Sequence, residues 1–143
     1  MPTINFDMDG TIADLYGVED WLPKLLAHDP SPYVEARPLV NLSRLARRLN
    51  SLQAQGYKLG IISWLSKDPD AAYGQQVTFA KITWLKTHLP SVKWDIITIV
   101  PYGTPKHSVG TGILFDDEAP NRTAWGAGDY TEKEIFEILK SLA

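Results

Sequence analysis

The sequence predicts an α/β domain built around a parallel sheet. Three observations carry that expectation. Short apolar or β-branched runs alternate with longer segments of helical spacing. Several of those runs end in polar groups where a core strand would continue apolar. The chain has 143 residues, 44% of them hydrophobic, which is enough for one core and too few for two ordinary domains. A single domain over 1–143 is expected.

Thr3–Phe6 is the first strand. Leu39, Leu42, Leu45, Ala46, Leu49 and Leu52 mark one face of a helix that ends near Gly56, and 59–62 is the next strand. A second long helix runs through Val77, Ala80, Ile82, Trp84 and Leu85 to about His88, because Pro90 forbids its continuation. Ile96–Val100 follows as a strand, and 112–115 reads as the last buried strand, ending in Asp116-Asp117. Thr131-Glu132-Lys133-Glu134 spells a capping box and opens a final helix that buries Ile135, Ile138, Leu139 and Leu142. The stretch from about 14–37 stands apart. It holds Pro23, Pro30 and Pro32 with Tyr16, Trp21 and Tyr33, and is expected to form either a small insertion over the site or a surface connection whose aromatics cover the core.

Composition excludes several classes. A formal charge of -3 gives no general basic field, so strong nucleic-acid binding is not expected. The absence of cysteine removes disulfides, thiolate metal sites and a cysteine nucleophile, and fits a reducing compartment, with the cytoplasm as the default. No apolar run approaches membrane-spanning length, and the early Asp7 argues against a signal peptide. The Asn-x-Ser/Thr triplets at Asn41 and Asn121 are then expected to be chance. Dinucleotide binding would need Gly-x-Gly-x-x-Gly where this chain has carboxylates, and no P-loop spelling occurs.

The chemistry lies at the strand ends. Asp7 and Asp9 follow the first strand, Ser63 the second, and Asp116 and Asp117 the last. In a parallel sheet these ends share one edge, outside which ligands of open α/β sheets bind. Carboxylates gathered there repel and raise one another's pKa values. Mg²⁺ relieves the conflict, because it prefers oxygen ligands and keeps some water. A phosphate held on the metal by one oxygen would meet a hydrogen bond from Ser63 and the positive charge of Lys106 at the others. That set suffices for phosphoryl transfer. One aspartate attacks phosphorus in line; a second protonates the leaving oxygen and then activates water against the aspartyl phosphate. Gly10 permits a tight exit from the strand, and Thr11 fixes the turn by a side-chain hydrogen bond.

Asp7-Met8-Asp9-Gly10-Thr11 resembles the first motif of the haloacid dehalogenase superfamily of phosphatases. Ser63 after Ile61-Ile62 is similar to its second motif, Lys106 to its third, and Asp116-Asp117 after Ile113-Leu114-Phe115 to its fourth, in family order. The resemblance implies a three-layer Rossmann-like fold with a small cap insertion after the first strand, and a Mg²⁺-dependent phosphomonoesterase working through an aspartyl phosphate. It implies that Asp7 is nucleophile and metal ligand, while Asp9 is acid/base and binds the metal through its main-chain carbonyl. Asp117 would ligate directly. Asp116 would either take that place or act through water and by orienting Lys106.

Lys81-Ile82-Thr83-Trp84-Leu85, His88-Leu89-Pro90 and the start Phe6 to Asp14 are also similar to the 5'(3')-deoxyribonucleotidase group. That likeness implies a nucleoside monophosphate as the small phosphorylated substrate. Ser63-Trp64-Leu65-Ser66 departs from the group's Thr and Pro, so Ser66 competes with Ser63 for the phosphate. The insertion is much shorter than that group's cap, which leaves base selectivity open. Trp21, Tyr33 and Trp64 are the candidates for stacking on a base. Sugar phosphates or other small metabolites are the alternative substrates, and a non-catalytic binding protein is the alternative class. Lys81 reads as a solvated helix residue, with phosphate contact as the alternative, and the Arg44, Arg47 and Arg48 cluster as a solvated face, with contact to a polyanionic partner as the alternative. Trp84 and Trp125 read as core, and the three histidines as surface or structural.

Overall fold

The chain was described from a computed structural model, which covers residues 1–67 and 70–143. Its strands are β1 (Thr3–Phe6), β2 (Ala13–Asp14), β3 (Arg37–Pro38), β4 (Lys58–Trp64), β5 (Ile96–Val100), β6 (Ile113–Phe115) and β7 (Asp129–Tyr130). The helices are α1 (Trp21–Leu26), α2 (Ser31–Glu35), α3 (Leu42–Ala54), α4 (Ala71–His88), α5 (Ala119–Trp125) and α6 (Ile135–Leu142). Five strands form one parallel sheet in the order β5-β4-β1-β6-β7, flanked by helices in a three-layer Rossmann-like arrangement. β2 and β3 pair antiparallel as a separate ribbon closing the base of the insertion.

Apolar burial sets the strand order. Ile4 and Phe6 of β1 are fully buried, as a central strand between two neighbours requires, and Phe6 stacks on Phe115 of β6 at 5.1 Å. Asn5 is the polar exception. Its amide donates to the carbonyls of Thr111 and Ile113 at 2.8 and 3.0 Å, which offsets its burial. The helices cover the sheet with faces read from their spacing. Leu45, Leu49 and Leu52 of α3 are buried, and its N-terminus is capped by Asn41, whose side chain accepts from the Arg44 amide at 3.0 Å. In α4, Val77, Ala80, Trp84 and Leu85 turn inward, and Asp70 caps the start through the Tyr73 amide at 2.7 Å. A smaller cluster of Leu15, Tyr33, Tyr73, Val77 and Ala80 joins the insertion to α4.

Four expectations need correction. Leu39 is 43% exposed and precedes α3, its amide spent on the carbonyl of Ile12, so the helix face begins at Leu42. β6 is not the last strand. The two-residue β7 extends the sheet beyond it, after the unpredicted α5, and is too short to leave a periodic signal. Ile138 and Leu142 pack only partly buried on the core, because α6 is the outer layer at the chain end. Trp125 is half-buried and tied by its indole N–H to the Gly112 carbonyl at 3.0 Å, whereas Trp84 is a true core residue.

Candidate active site

The carboxyl ends of β1, β4 and β6 meet on one edge of the sheet. Asp7 follows β1 directly, and its amide donates to the Phe115 carbonyl at 2.9 Å, so the β1–β6 ladder itself sets its position. The chain then folds tightly back on itself: the amides of Thr11, Ile12 and Ala13 all donate to the Met8 carbonyl. Gly10 makes this turn possible. Its φ is +81°, and a Cβ there would lie 2.4 Å from Asp117 Oδ2, so the position both needs the left-handed region and lets Asp117 approach the backbone.

Lys106 binds the two halves of the acidic group. Its Nζ donates to Asp7 Oδ1 at 2.9 Å and to Asp116 Oδ2 at 2.7 Å, with the lysine side chain 2% exposed. Asp116 is fully buried and heavily engaged. Its Oδ2 also accepts from Asn121 Nδ2 at 3.1 Å, and its Oδ1 from the Glu118 amide at 2.9 Å. Asp117 is freer: among the described residues its side chain meets the Thr11 hydroxyl, which lies 3.1 Å from Asp7 Oδ2 and 3.2 Å from Asp117 Oδ1. One hydroxyl proton serves one of these oxygens at a time.

The charge balance is incomplete. Burial and the negative charges of Asp7 and Asp116 push Asp117 up from its ordinary value to about 8. Burial and Asp7 also raise Asp116, against the opposing pull of Lys106. Burial alone would lower the Lys106 ammonium, but Asp7 and Asp116 outweigh it and hold the group above its usual range. Carboxylate oxygens of Asp7, Asp116 and Asp117 lie within 4.8 Å of one another, an all-oxygen donor set with one cation for three carboxyl groups. This donor set could hold a hard divalent cation such as Mg²⁺, and Asp117 sits in the space kept open at Gly10.

Asp9 differs from the expectation of four mutually repelling carboxylates. It does not join the cluster of three; its Oδ2 accepts from Lys81 Nζ at 2.8 Å. Lys81 is the residue that sequence reasoning misread. It is 1% exposed, not solvated, and also donates to Ser63 Oγ at 2.6 Å and to the Trp64 carbonyl at 2.9 Å. A signal was present: Lys81 lies four residues after Val77 and three before Trp84, on the apolar face of its helix.

A cavity of about 320 Å³ opens beside this group. Asp7, Asp9 and Lys106 line its polar end, and Trp21, Tyr33 and Trp64 all reach its wall. The insertion adds Leu15, Tyr16, Leu22, Leu25 and Leu26, a larger apolar share than the aromatics alone predicted. Tyr16 packs edge-on against Trp21 at 5.0 Å, and Trp64 packs against Tyr102 at 4.9 Å, so an aromatic pair stands on the insertion and another on the core. Burial and then Asp9, Asp117 and Asp7 push the Tyr16 phenol well up, so it stays a hydrogen-bond donor at neutral pH. Ser66 lines the cavity and its hydroxyl has no partner among the described residues, while Ser63 is fully buried under Lys81 and does not line it. Of the histidines, His28 reaches the cavity wall while stacking on Tyr73 at 4.7 Å, and His88 packs on Trp84.

No family profile matches the chain, and no curated protein matches it. Among solved structures it is similar to a chain in "Structure of Pnkp1/Rnl/Hen1 complex", with a TM-score of 0.54 and 15% sequence identity over 92% of this chain and 46% of that one. The likeness shows the α/β fold alone. The chain spans about half the length of that neighbour. Among the described residues no helix is long and apolar enough to cross a membrane.

Proposed function

We propose that this chain is a Mg²⁺-dependent phosphomonoesterase of the haloacid dehalogenase type, acting on nucleoside monophosphates, with the cysteine-free composition favouring the cytoplasm. One observation carries the reading: Lys106 bridges Asp7 and Asp116 at 2.9 and 2.7 Å, beside Asp117 and at the mouth of a cavity that Asp9 also lines. A nucleophile, its neutralising cation, a metal-ligating pair and a separate acid/base stand together at the open edge of a parallel sheet.

Asp7 and Asp117 would hold the metal, because the oxygens of Asp116 are already occupied by Lys106, Asn121 and the Glu118 amide. Asp116 then orients Lys106. When bound, Mg²⁺ supplies positive charge against the transferred phosphoryl group and fixes its orientation. A carboxylate oxygen of Asp7 attacks phosphorus as the ester P–O bond breaks, its electron pair going to the leaving oxygen, which takes a proton from Asp9. Water then attacks the phosphorus of the aspartyl phosphate. Asp9 takes the water's proton, and the bond to Asp7 breaks to release phosphate and the free carboxylate.

The cavity supports the substrate class. Its wall of Trp21, Trp64, Tyr16 and leucines suits a planar, largely apolar group of nucleoside size better than a sugar, whose hydroxyls would meet few partners. Phosphate release from nucleoside 5'- and 3'-monophosphates, sugar phosphates and an aryl phosphate, with Mg²⁺ and with chelator, tests the reading. Preference for nucleotides, lost on chelation and in Asp7→Asn while the fold persists, is the expected result. Wild-type rates in Asp7→Asn would sink the mechanism, and no release from any ester would favour a binding protein.

A further inference from the structure

Lys81 is a buried cation that the reaction above does not use. Its ammonium has three N–H donors, and each has an acceptor: Ser63 Oγ at 2.6 Å, Asp9 Oδ2 at 2.8 Å and the Trp64 carbonyl at 2.9 Å. Tyr33 of the insertion covers it, with the ring centroid 5.1 Å from Nζ. Asp9 lines the cavity, whereas Lys81 and Ser63 do not.

A lysine with every donor committed and no face on the cavity is not arranged to receive an incoming anion. It is arranged to hold Asp9. Lys81 occupies Oδ2 and so fixes the rotation of the carboxyl plane, a broad and soft torsion in an unrestrained aspartate. Asp9 Oδ1 has no protein partner among the described residues and is left to carry the transferred proton.

We propose that Lys81 is a positioning residue that holds Asp9 in its acid/base posture, with Ser63 serving as the anchor of Lys81. The proposal rests on the reading of Asp9 as the acid/base. Ser63 then has a different task from the phosphate contact expected of it. The cover from Tyr33 ties the same network to the insertion, so the element that encloses the substrate also shields the bracket behind Asp9.

The two chemical steps separate this role from a merely structural one. Breaking the ester bond needs a proton from Asp9 only when the leaving oxygen is basic. A nucleoside 5'-oxygen is basic; a dinitrophenolate departs without protonation. The second step needs Asp9 to accept the water's proton whatever the first leaving group was. A protein with Asp9 misplaced therefore still phosphorylates Asp7 from 2,4-dinitrophenyl phosphate, and then stalls.

The experiment compares wild type, Lys81→Met and Ser63→Ala on a nucleoside 5'-monophosphate and on 2,4-dinitrophenyl phosphate, each with Mg²⁺. For Lys81→Met, nucleotide turnover falls roughly 100-fold or more, the scale of lost general acid–base catalysis. The aryl ester gives a burst of dinitrophenolate approaching one equivalent per site, followed by slow turnover. Ser63→Ala shows the same pattern more weakly and carries the test if Lys81→Met does not fold. Inhibition by inorganic phosphate changes by less than about threefold in both variants, since neither residue touches the ligand. Equal loss on both esters without a burst, or phosphate inhibition weakened about tenfold or more, overturns the proposal. Wild type that releases no phosphate from either ester overturns the underlying reading, and the proposal with it.

Discussion

Lys106 shows most directly how single residues balance this site. It lies buried between Asp7 and Asp116, and removing its charge would leave both carboxylates without their shared cation. Breaking a buried ion pair from one side typically costs about 3–5 kcal/mol. Lys106→Met is therefore expected to lower the denaturant midpoint of the metal-free protein sharply, and a midpoint unchanged from wild type would contradict the buried bridge. Asn41 and Asn121 carry smaller duties. The first caps α3 and the second steadies Asp116, so each asparagine has a structural reason to be there. Asp7, Asp9, Asp116 and Asp117 were legible as candidate site residues because an acid at the end of an apolar strand has no packing reason to be there. Lys81 was not legible in the same way. A lysine on a helix is usually solvated, and only the fold reveals that its face is the buried one.

At the scale of elements, the insertion forms much of the cavity wall. α1 contributes Trp21, Leu22, Leu25 and Leu26 to the cavity wall, and α2 contributes Tyr33. Among the described residues Trp21 makes no hydrogen bond to Lys106 or the aspartates, so under the proposed reading it would meet only the organic part of the ligand. Trp21→Ala is expected to raise KM for a nucleoside monophosphate about tenfold, the scale of one lost stacking contact, with kcat changed far less. A parallel fall in kcat would mean that α1 shapes the reacting groups as well. α4 works differently. It brings Lys81 under Asp9 and buries Tyr73 and Val77 against the insertion, so one helix supports both the candidate site and its cover. Helix faces such as Leu45, Leu49 and Leu52 were readable from spacing, because a period of 3.6 survives in sequence. The edge strand β7 and the ribbon of β2 and β3 were not, since two residues hold no period.

For the whole molecule, the acidic group couples stability to pH and, under the proposed reading, to metal. Without metal, Asp117 is raised from 3.8 to about 8 by burial, Asp7 and Asp116, so from about pH 4 to pH 8 the folded chain binds more protons than the unfolded chain. Its contribution to stability therefore falls as pH rises through that window. Burial also raises Asp116 and Glu118, with the same sign. A divalent cation relieves the repulsion and binds only deprotonated oxygens. The Tm gain from Mg²⁺ is accordingly expected to be larger at pH 8 than at pH 6. An equal gain at both values, or none, would mean that these carboxylates do not hold the ion.

Local signals sufficed for the α/β class, the order of the main strands and the acids at their ends. Alternation and 3.6-residue spacing are properties of neighbouring residues, and an aspartate that closes an apolar run is conspicuous without any partner in view. Tertiary structure alone decided which groups pair. Lys81 meets Asp9 across 72 positions, Lys106 meets Asp7 across 99, and Thr11 reaches Asp117 across 106. It likewise withdrew Ser63 under Lys81 while leaving Ser66 at the cavity, and turned Asp9 away from the other carboxylates. Those outcomes depend on where a parallel sheet and its covering helices bring distant side chains, and no local pattern records that distance.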